Sequence, residues 1–121
     1  MYIGAFLNFD AITKKLIEES KDVVLFCAGW KDIPNSEDSL FAGMVINSLE
    51  KLGFKTKDDA SILCRDFYKF NQKDIYKVIF ESAHANRLKL LTEIEQDLKY
   101  ASTMNLTTIV PKYINGIITK S

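Results

Sequence analysis

The sequence has few of the residues that usually reveal an active site. Its 121 residues include one histidine, two cysteines and one tryptophan, and only two of its sixteen basic residues are arginine. Two cysteines and one histidine cannot build a closed zinc site of four protein ligands, and Cys27 and Cys64 form no CxxC pair. We therefore expect two reduced core thiols and no thiol or redox chemistry.

The chain also lacks net charge and any long apolar run. Sixteen Lys and Arg balance sixteen Asp and Glu, which argues against a nucleic acid or an anionic membrane as partner. No run is long enough to span a bilayer, and no charged region followed by an apolar one opens the chain. A hydrophobic fraction of 47% without repeats or linkers predicts one globular domain over residues 1–121, located in the cytoplasm.

A strand, a loop and a helix follow one another in the first half of the chain. Residues 23–28 form a continuous apolar, β-favouring run, which is typical of a strand covered on both faces in a parallel sheet. A loop from Gly29 to residue 35 comes next. We predict Ser36 as the N-cap of the following helix and Gly53 as its left-handed C′ residue. This order is the βα unit of an α/β fold.

Helical patterns fill most of the remaining sequence. We predict further helices over residues 10–17, 58–70, 75–79, 88–91 and 92–101. Residues 92–95 match a capping box for the last of these helices, which would turn Ile94, Leu98 and Ala101 inward.

Few strands remain to build a sheet. Residues 2–6 predict one short strand, and residues 107–110 and 117–119 flank Asn115-Gly116, a strong hairpin signal. A strand as apolar as residues 23–28 requires neighbours on both sides. We therefore expect an α/β fold with a small, mainly parallel sheet covered by helices and a C-terminal β-hairpin, and we expect that part of the sheet is missing from this chain.

The first candidate site is the loop and helix start beyond the predicted strand, where ligands bind in open α/β sheets. Glu37 and Asp38 are adjacent carboxylates in the first helical turn. They are suited to hold Mg²⁺ by one or two oxygens, with waters and a substrate phosphate completing the octahedron. The alternative is structural, because carboxylates in a first turn also complement the helix dipole. The residues alone favour this structural role.

The second candidate site lies on a helix face. His84 and Arg87 are spaced i, i+3, which would place an imidazole beside a guanidinium able to bind phosphate or sulfonate with two bonds. The alternative, which the residues alone favour, is a histidine at a helix start and a solvated arginine. A third acidic cluster, Glu93, Glu95 and Asp97, is interpreted as structural. No GxGxxG, Walker, HExxH or GxSxG motif is present.

Several of these segments, in order and with the expected spacing, resemble the 2-phosphosulfolactate phosphatase family. The segments are residues 3–8, 23–29, 36–43, 82–84 with 87–88, 97–98 and 110–111. The resemblance covers essentially the whole chain. It implies a Mg²⁺-dependent phosphatase that converts 2-phospho-3-sulfolactate to sulfolactate and phosphate in coenzyme M biosynthesis.

The resemblance also implies roles for individual residues. Glu37 and Asp38 become metal ligands, His84 the catalytic residue, and Gly29, Ser36 and Arg87 substrate-binding residues. Members of that family are about twice as long, so this chain resembles only their C-terminal half. Trp30 stands where they usually carry a small polar residue.

Two hypotheses about function follow from this resemblance. The chain is either the C-terminal half of a phosphatase whose site is shared with a missing N-terminal half, or a non-catalytic α/β binding module. Because the predicted strand lacks neighbours, we expect the 121 residues alone to be inactive and to associate, with copies of themselves or with the missing half.

Overall fold

The computed structural model describes residues 1–90 and 93–120. These residues fall into two compact units, one formed by the described part of Met1–Val23 and Thr103–Ser121, the other by Val24–Ser102. In chain order the described elements are a 3₁₀ turn Phe6–Asn8, α1 Phe9–Glu19, α2 Ser36–Glu50, α3 Asp59–Asn71, α4 Ile75–Phe80, α5 Ala83–Lys89, α6 Glu95–Ala101, β1 Pro111–Ile114 and β2 Ile117–Lys120.

The terminal unit contains α1 and an antiparallel β1–β2 hairpin. Ile114 pairs with Ile117 across the predicted turn, whose Asn115 and Gly116 have left-handed φ angles of 49° and 83°. The turn prediction is therefore confirmed, but the first strand is residues 111–114 and not residues 107–110. A two-residue turn pairs the residues that directly flank it, and this fixes the register nearer to the turn than the apolar pattern suggested.

The predicted strand over residues 2–6 is reduced to one bridge. Tyr2 pairs with Lys112 as an isolated antiparallel bridge, and the Ile3 amide donates to the Pro111 carbonyl oxygen at 2.9 Å. Buried Asn8 stops this segment from continuing as a strand, since its Oδ1 accepts from the Ala5 amide at 2.9 Å. Its Nδ2 donates to the carbonyl oxygens of Ile3 (3.2 Å) and Ile109 (2.9 Å). These bonds satisfy a buried amide and tie the unit's two chain segments together.

Helix α2 forms the centre of the second unit. Its buried residues are Leu40, Ala42, Gly43, Met44, Val45 and Leu49. The N-cap is Asn35 and not the predicted Ser36, which is the first helical residue. Gly53 has a φ of 95°, as predicted, and its amide donates to the Glu50 carbonyl oxygen at 3.1 Å. With the 3.2 Å bond from the Phe54 amide to the Leu49 carbonyl oxygen, this is a Schellman ending.

Helices α2 and α3 approach closely at Gly43. A Cβ atom on Gly43 would lie 1.9 Å from the Cys64 carbonyl oxygen and 2.9 Å from the Tyr68 Cβ. Arg65 joins the same two helices through a 2.9 Å ion pair with Glu50. A hydrogen bond from Thr56, followed by those from Arg65, lowers the pKa of Glu50.

The remaining helices follow the sequence patterns with shifted boundaries. Asp58 caps α3 by accepting from the Ser61 amide at 2.9 Å, as expected for a helix that begins there. The predicted capping box and the end of the 88–91 helix include residues 91 and 92, which lie outside the described residues. Ile94 is buried, but Ala101 is exposed and not inward-facing. The Glu95 carboxylate forms an ion pair of 2.8 Å with the Lys99 ammonium group.

Residues 23–28, the apolar segment, do not form the predicted interior strand. Among residues 1–90 and 93–120 the only ladder is the antiparallel hairpin, so the expectation of a mainly parallel sheet is wrong. Val24 and Phe26 are 90% and 85% exposed. Cys27 is also exposed, and Cys64 is half-buried, so neither is a core thiol. A strand needs neighbours to satisfy its backbone groups, and the described residues provide none.

In the described part of the chain, no helix is long and apolar enough to cross a bilayer.

Candidate functional site

The loop between the apolar segment and α2 is folded back on itself. Trp30 and Ile33 exchange two backbone hydrogen bonds of 2.9 and 3.0 Å. Lys31 and Asp32 between them have φ angles of 50° and 61°, the pattern of a type I′ turn. Gly29 precedes this turn with a φ of 66°, and a Cβ there would lie 2.7 Å from the Ile33 carbonyl oxygen. The backbone conformation at this position therefore requires glycine, independently of the substrate-binding role predicted for Gly29.

Asp38 connects this loop to the start of α2. Its Oδ2 accepts a 2.7 Å hydrogen bond from the Gly29 amide. One oxygen of this predicted metal ligand therefore positions the loop. The neighbouring Glu37 differs, because its Oε2 is buried and has no hydrogen-bond partner among the described residues.

The structure brings the two predicted candidate sites together through Trp30. The Arg87 guanidinium carbon lies 4.3 Å from the centroid of the Trp30 ring, and the Lys31 ammonium nitrogen lies 4.5 Å from the same centroid. Such cation–π contacts are worth about 0.5–2 kcal/mol each, depending on exposure. Trp30 and Lys31 belong to the loop of the first predicted candidate site, but neither was assigned a role from sequence. The feature of the sequence that could have pointed to Trp30 is an aromatic residue directly after a loop glycine.

His84 and Arg87 share one helix face, as their spacing predicts. An Nη2 nitrogen of Arg87 lies 3.2 Å from His84 Nδ1. The guanidinium only donates, so Nδ1 is the acceptor and the ring proton is on Nε2. The Arg87 Nε is buried and lacks a hydrogen-bond partner within residues 1–90 and 93–120. A buried N–H donor without a hydrogen-bond partner costs about 1–3 kcal/mol of stability, unless an acceptor outside these residues binds to it.

The N-cap of α5 fixes the direction of that face. Ser82 is buried, and its Oγ accepts from the Ala85 amide at 3.0 Å. Lys89 points elsewhere, since it donates to the Phe80 carbonyl oxygen at 2.7 Å. The chain's other arginine, Arg65, is bound to Glu50 and Asp66, so Arg87 is the arginine without a carboxylate partner in the described chain.

Other predicted residues are not drawn into this cluster by any described contact. The Ser36 side chain is half-buried at the first position of α2. Glu93, Glu95 and Asp97 are exposed. Within the residues that the structure describes, no three His, Cys, Asp or Glu side chains are grouped so as to enclose a metal ion.

Cys27 borders the loop but is poorly suited to act as a nucleophile. Desolvation raises the pKa of its thiol, and the nearby Cys64 and Asp38 raise it further. The thiolate is the reactive form, so a raised pKa keeps this group inert near neutral pH. The expectation of no thiol chemistry remains a prediction.

Comparison with known proteins identifies relatives over nearly the whole chain. The family model described as 2-phosphosulpholactate phosphatase matches residues 1–116. A probable 2-phosphosulfolactate phosphatase of Caldanaerobacter subterraneus subsp. tengcongensis is 32% identical over 119 residues, covering 98% of this chain and 49% of the relative. One of Clostridium kluyveri is 34% identical over 118 residues, with 96% and 48% covered. The chain thus spans about half the length of these curated relatives, and it belongs to the 2-phosphosulpholactate phosphatase family.

Proposed function

We propose that this chain is the C-terminal half of a Mg²⁺-dependent phosphatase that hydrolyses 2-phospho-3-sulfolactate to sulfolactate and phosphate, a step of coenzyme M biosynthesis in the cytoplasm. The observation that supports this best is the joining of the two candidate sites. Trp30 contacts Arg87, and Asp38 holds the backbone before Trp30. Two predicted site residues, Glu37 and Arg87, keep buried polar atoms without partners in the described chain.

The carboxylates at the start of α2 fit a magnesium ion. Mg²⁺ is commonly held by one or two carboxylates, with waters and phosphate oxygens as its other ligands. The Glu37 Oε2 lacks a partner among the described residues, and Asp38 has one oxygen besides the one that accepts from Gly29. When bound, the ion would neutralise charge on the phosphate during transfer to water.

His84 would serve the same phosphate from the other element. With Nδ1 accepting from Arg87, its Nε2–H is the group free to donate to a substrate oxygen. Arg87 thus sets the tautomer of His84 as well as providing positive charge. In this proposal the Nε2–H of neutral His84 donates a hydrogen bond that stabilises negative charge on the leaving oxygen, and Arg87 orients the imidazole ring.

The missing partner is the N-terminal half of the same kind of enzyme. The apolar segment exposes Val24 and Phe26 almost fully and carries no ladder within the described residues. Unpaired strands of this composition pair with other strands. Strands of the N-terminal half would complete the sheet, bury this segment and add groups to the loop–α2 site. Copies of the assembled enzyme are expected to form a homo-oligomer.

A non-catalytic α/β binding module is the second candidate. It is favoured by one observation, since one oxygen of Asp38 already has a structural role in accepting from the Gly29 amide. The two proposals differ in what the carboxylates at the start of α2 do, and this difference can be measured.

The test is phosphate release from 2-phosphosulfolactate by this chain assembled with the N-terminal half of the Caldanaerobacter relative. The doubly substituted Glu37→Gln, Asp38→Asn chain should lose Mg²⁺-stimulated turnover and keep its melting temperature nearly unchanged. Glu93→Gln, which removes an exposed carboxylate, is the control. A helix-dipole role predicts unchanged turnover and a loss of about 0.3–1 kcal/mol of stability for each removed charge.

A further inference from the structure

We propose that the Trp30 cluster, made of Trp30, Lys31 and Arg87, recognises the sulfonate group of the substrate, the anion that does not react. This inference rests on the proposed function, and it assigns the two anionic ends of the substrate to different parts of the site. The phosphate would lie at the α2 carboxylates with the metal ion, and the sulfonate at the Trp30 cluster.

The cluster places two positive charges beside one aromatic ring. Lys31 and Arg87 lie 4.5 and 4.3 Å from the centroid of the same indole ring. Neither forms an ion pair with any carboxylate in residues 1–90 and 93–120, although Asp32 lies next to Lys31 in the turn. Two like charges beside the same ring repel each other, and a bound anion reduces that repulsion.

The loop geometry holds this cluster in one arrangement. The Trp30–Ile33 hydrogen bonds close the turn that carries Lys31, and the Asp38 carboxylate anchors Gly29 directly before Trp30. His84 accepts from Arg87 at 3.2 Å, which restricts the rotation of the guanidinium. A guanidinium fixed against an aromatic face still presents planar N–H groups, and these match two oxygens of a sulfonate.

A sulfonate suits this surface better than a phosphate. A sulfonate carries one negative charge, whereas a phosphate monoester near neutral pH carries nearly two. The cost of removing an ion from water rises steeply with its charge, so the flat apolar indole favours the monoanion. The doubly charged phosphate needs a metal ion, which the carboxylates of α2 are able to hold but the Trp30 cluster is not.

Trp30 is the single tryptophan of the sequence, so its fluorescence reports on this cluster directly. The full 121-residue chain is titrated with methanesulfonate, and in parallel with inorganic phosphate and with acetate, at constant ionic strength. We expect a saturable change with methanesulfonate and at least about tenfold weaker binding of the more highly charged phosphate. Equal responses to all three anions, or tighter binding of phosphate, would overturn the proposal.

Two substitutions test which cation is responsible. Arg87→Met should abolish the saturable change, and Lys31→Met, at an exposed turn position that leaves the fold intact, should weaken methanesulfonate binding several-fold. Lys55→Met removes an exposed lysine between α2 and α3 and should leave the titration unchanged. A titration unaffected by Lys31→Met and Arg87→Met, with circular dichroism showing folded variants, contradicts the assignment.

Kinetics of the assembled enzyme separate this inference from the proposed function. Lys31→Met should raise KM for 2-phosphosulfolactate and leave KM for 2-phospholactate, which lacks the sulfonate, unchanged. Equal effects on both substrates overturn the sulfonate assignment while the phosphatase function stands. Selective methanesulfonate binding without any phosphate release overturns the phosphatase function while the recognition of sulfonate stands.

Discussion

At the scale of single residues, the site depends on contacts between parts of the chain that are far apart. The i, i+3 spacing was enough to predict that His84 and Arg87 share a face, because helix geometry alone determines it. The contact of Trp30 with Arg87 joins two elements separated by three helices, and no local pattern encodes such a contact. The Glu37 Oε2 atom is buried without a hydrogen-bond partner in the described chain. This burial is likewise created by tertiary packing and not by a local pattern.

Gly43 provides a test of packing at the residue scale. Gly43→Ala would place a Cβ 1.9 Å from the backbone oxygen of Cys64, which cannot move without shifting α3. We expect a loss of about 1–3 kcal/mol in the free energy of unfolding, as for other overpacked cores. Urea denaturation followed by circular dichroism measures this loss. Ser48→Ala, on the same helix at a half-exposed position, is the matched control and should change stability little. An unchanged midpoint for Gly43→Ala would show that the helices are less tightly packed.

At the scale of elements, helices were predicted better than strands. The caps at Asp58 and Gly53 depend on residues next to the helix ends, and both were predicted from sequence. The apolar segment was predicted as an interior strand, but a strand exists only where a neighbour pairs with it, and none is present in the described chain. The same reasoning had predicted an incomplete sheet, and the exposure of Val24 and Phe26 agrees with it.

The exposure of the apolar segment leads to a prediction about the rate at which the Cys27 thiol is alkylated. The thiol is exposed and its pKa is raised, so alkylation by iodoacetamide should be slow at neutral pH and should speed up as the pH rises. If strands of the N-terminal half cover this segment, adding that half should slow the alkylation of Cys27 at least about tenfold, since labelling then requires local opening.

Mass spectrometry of the same samples provides the control for this experiment. Cys64 in α3 is half-buried in the chain alone and should be labelled at a rate that the N-terminal half does not change. Unaltered labelling of Cys27 in a complex shown to contain both halves would mean that the partner binds elsewhere.

At the scale of the whole molecule, the chain matches its family from residue 1 to 116 and yet spans about half of its curated relatives. The family itself was predictable from sequence, because several short motifs occur in order along the chain. The strand pairing was not, since it depends on contacts between residues far apart in the sequence. The central claim is therefore that this half carries part of a phosphatase site that the other half completes.

The most direct measurement combines sedimentation with phosphate release from 2-phosphosulfolactate, for this chain alone and for its mixture with the N-terminal half. We predict that the chain alone associates and releases no phosphate, because its apolar segment is exposed and, in our proposal, the N-terminal half completes its site. The mixture should form a defined complex with Mg²⁺-dependent turnover. A monodisperse monomer of the chain alone that releases phosphate in a Mg²⁺-dependent manner would contradict the claim.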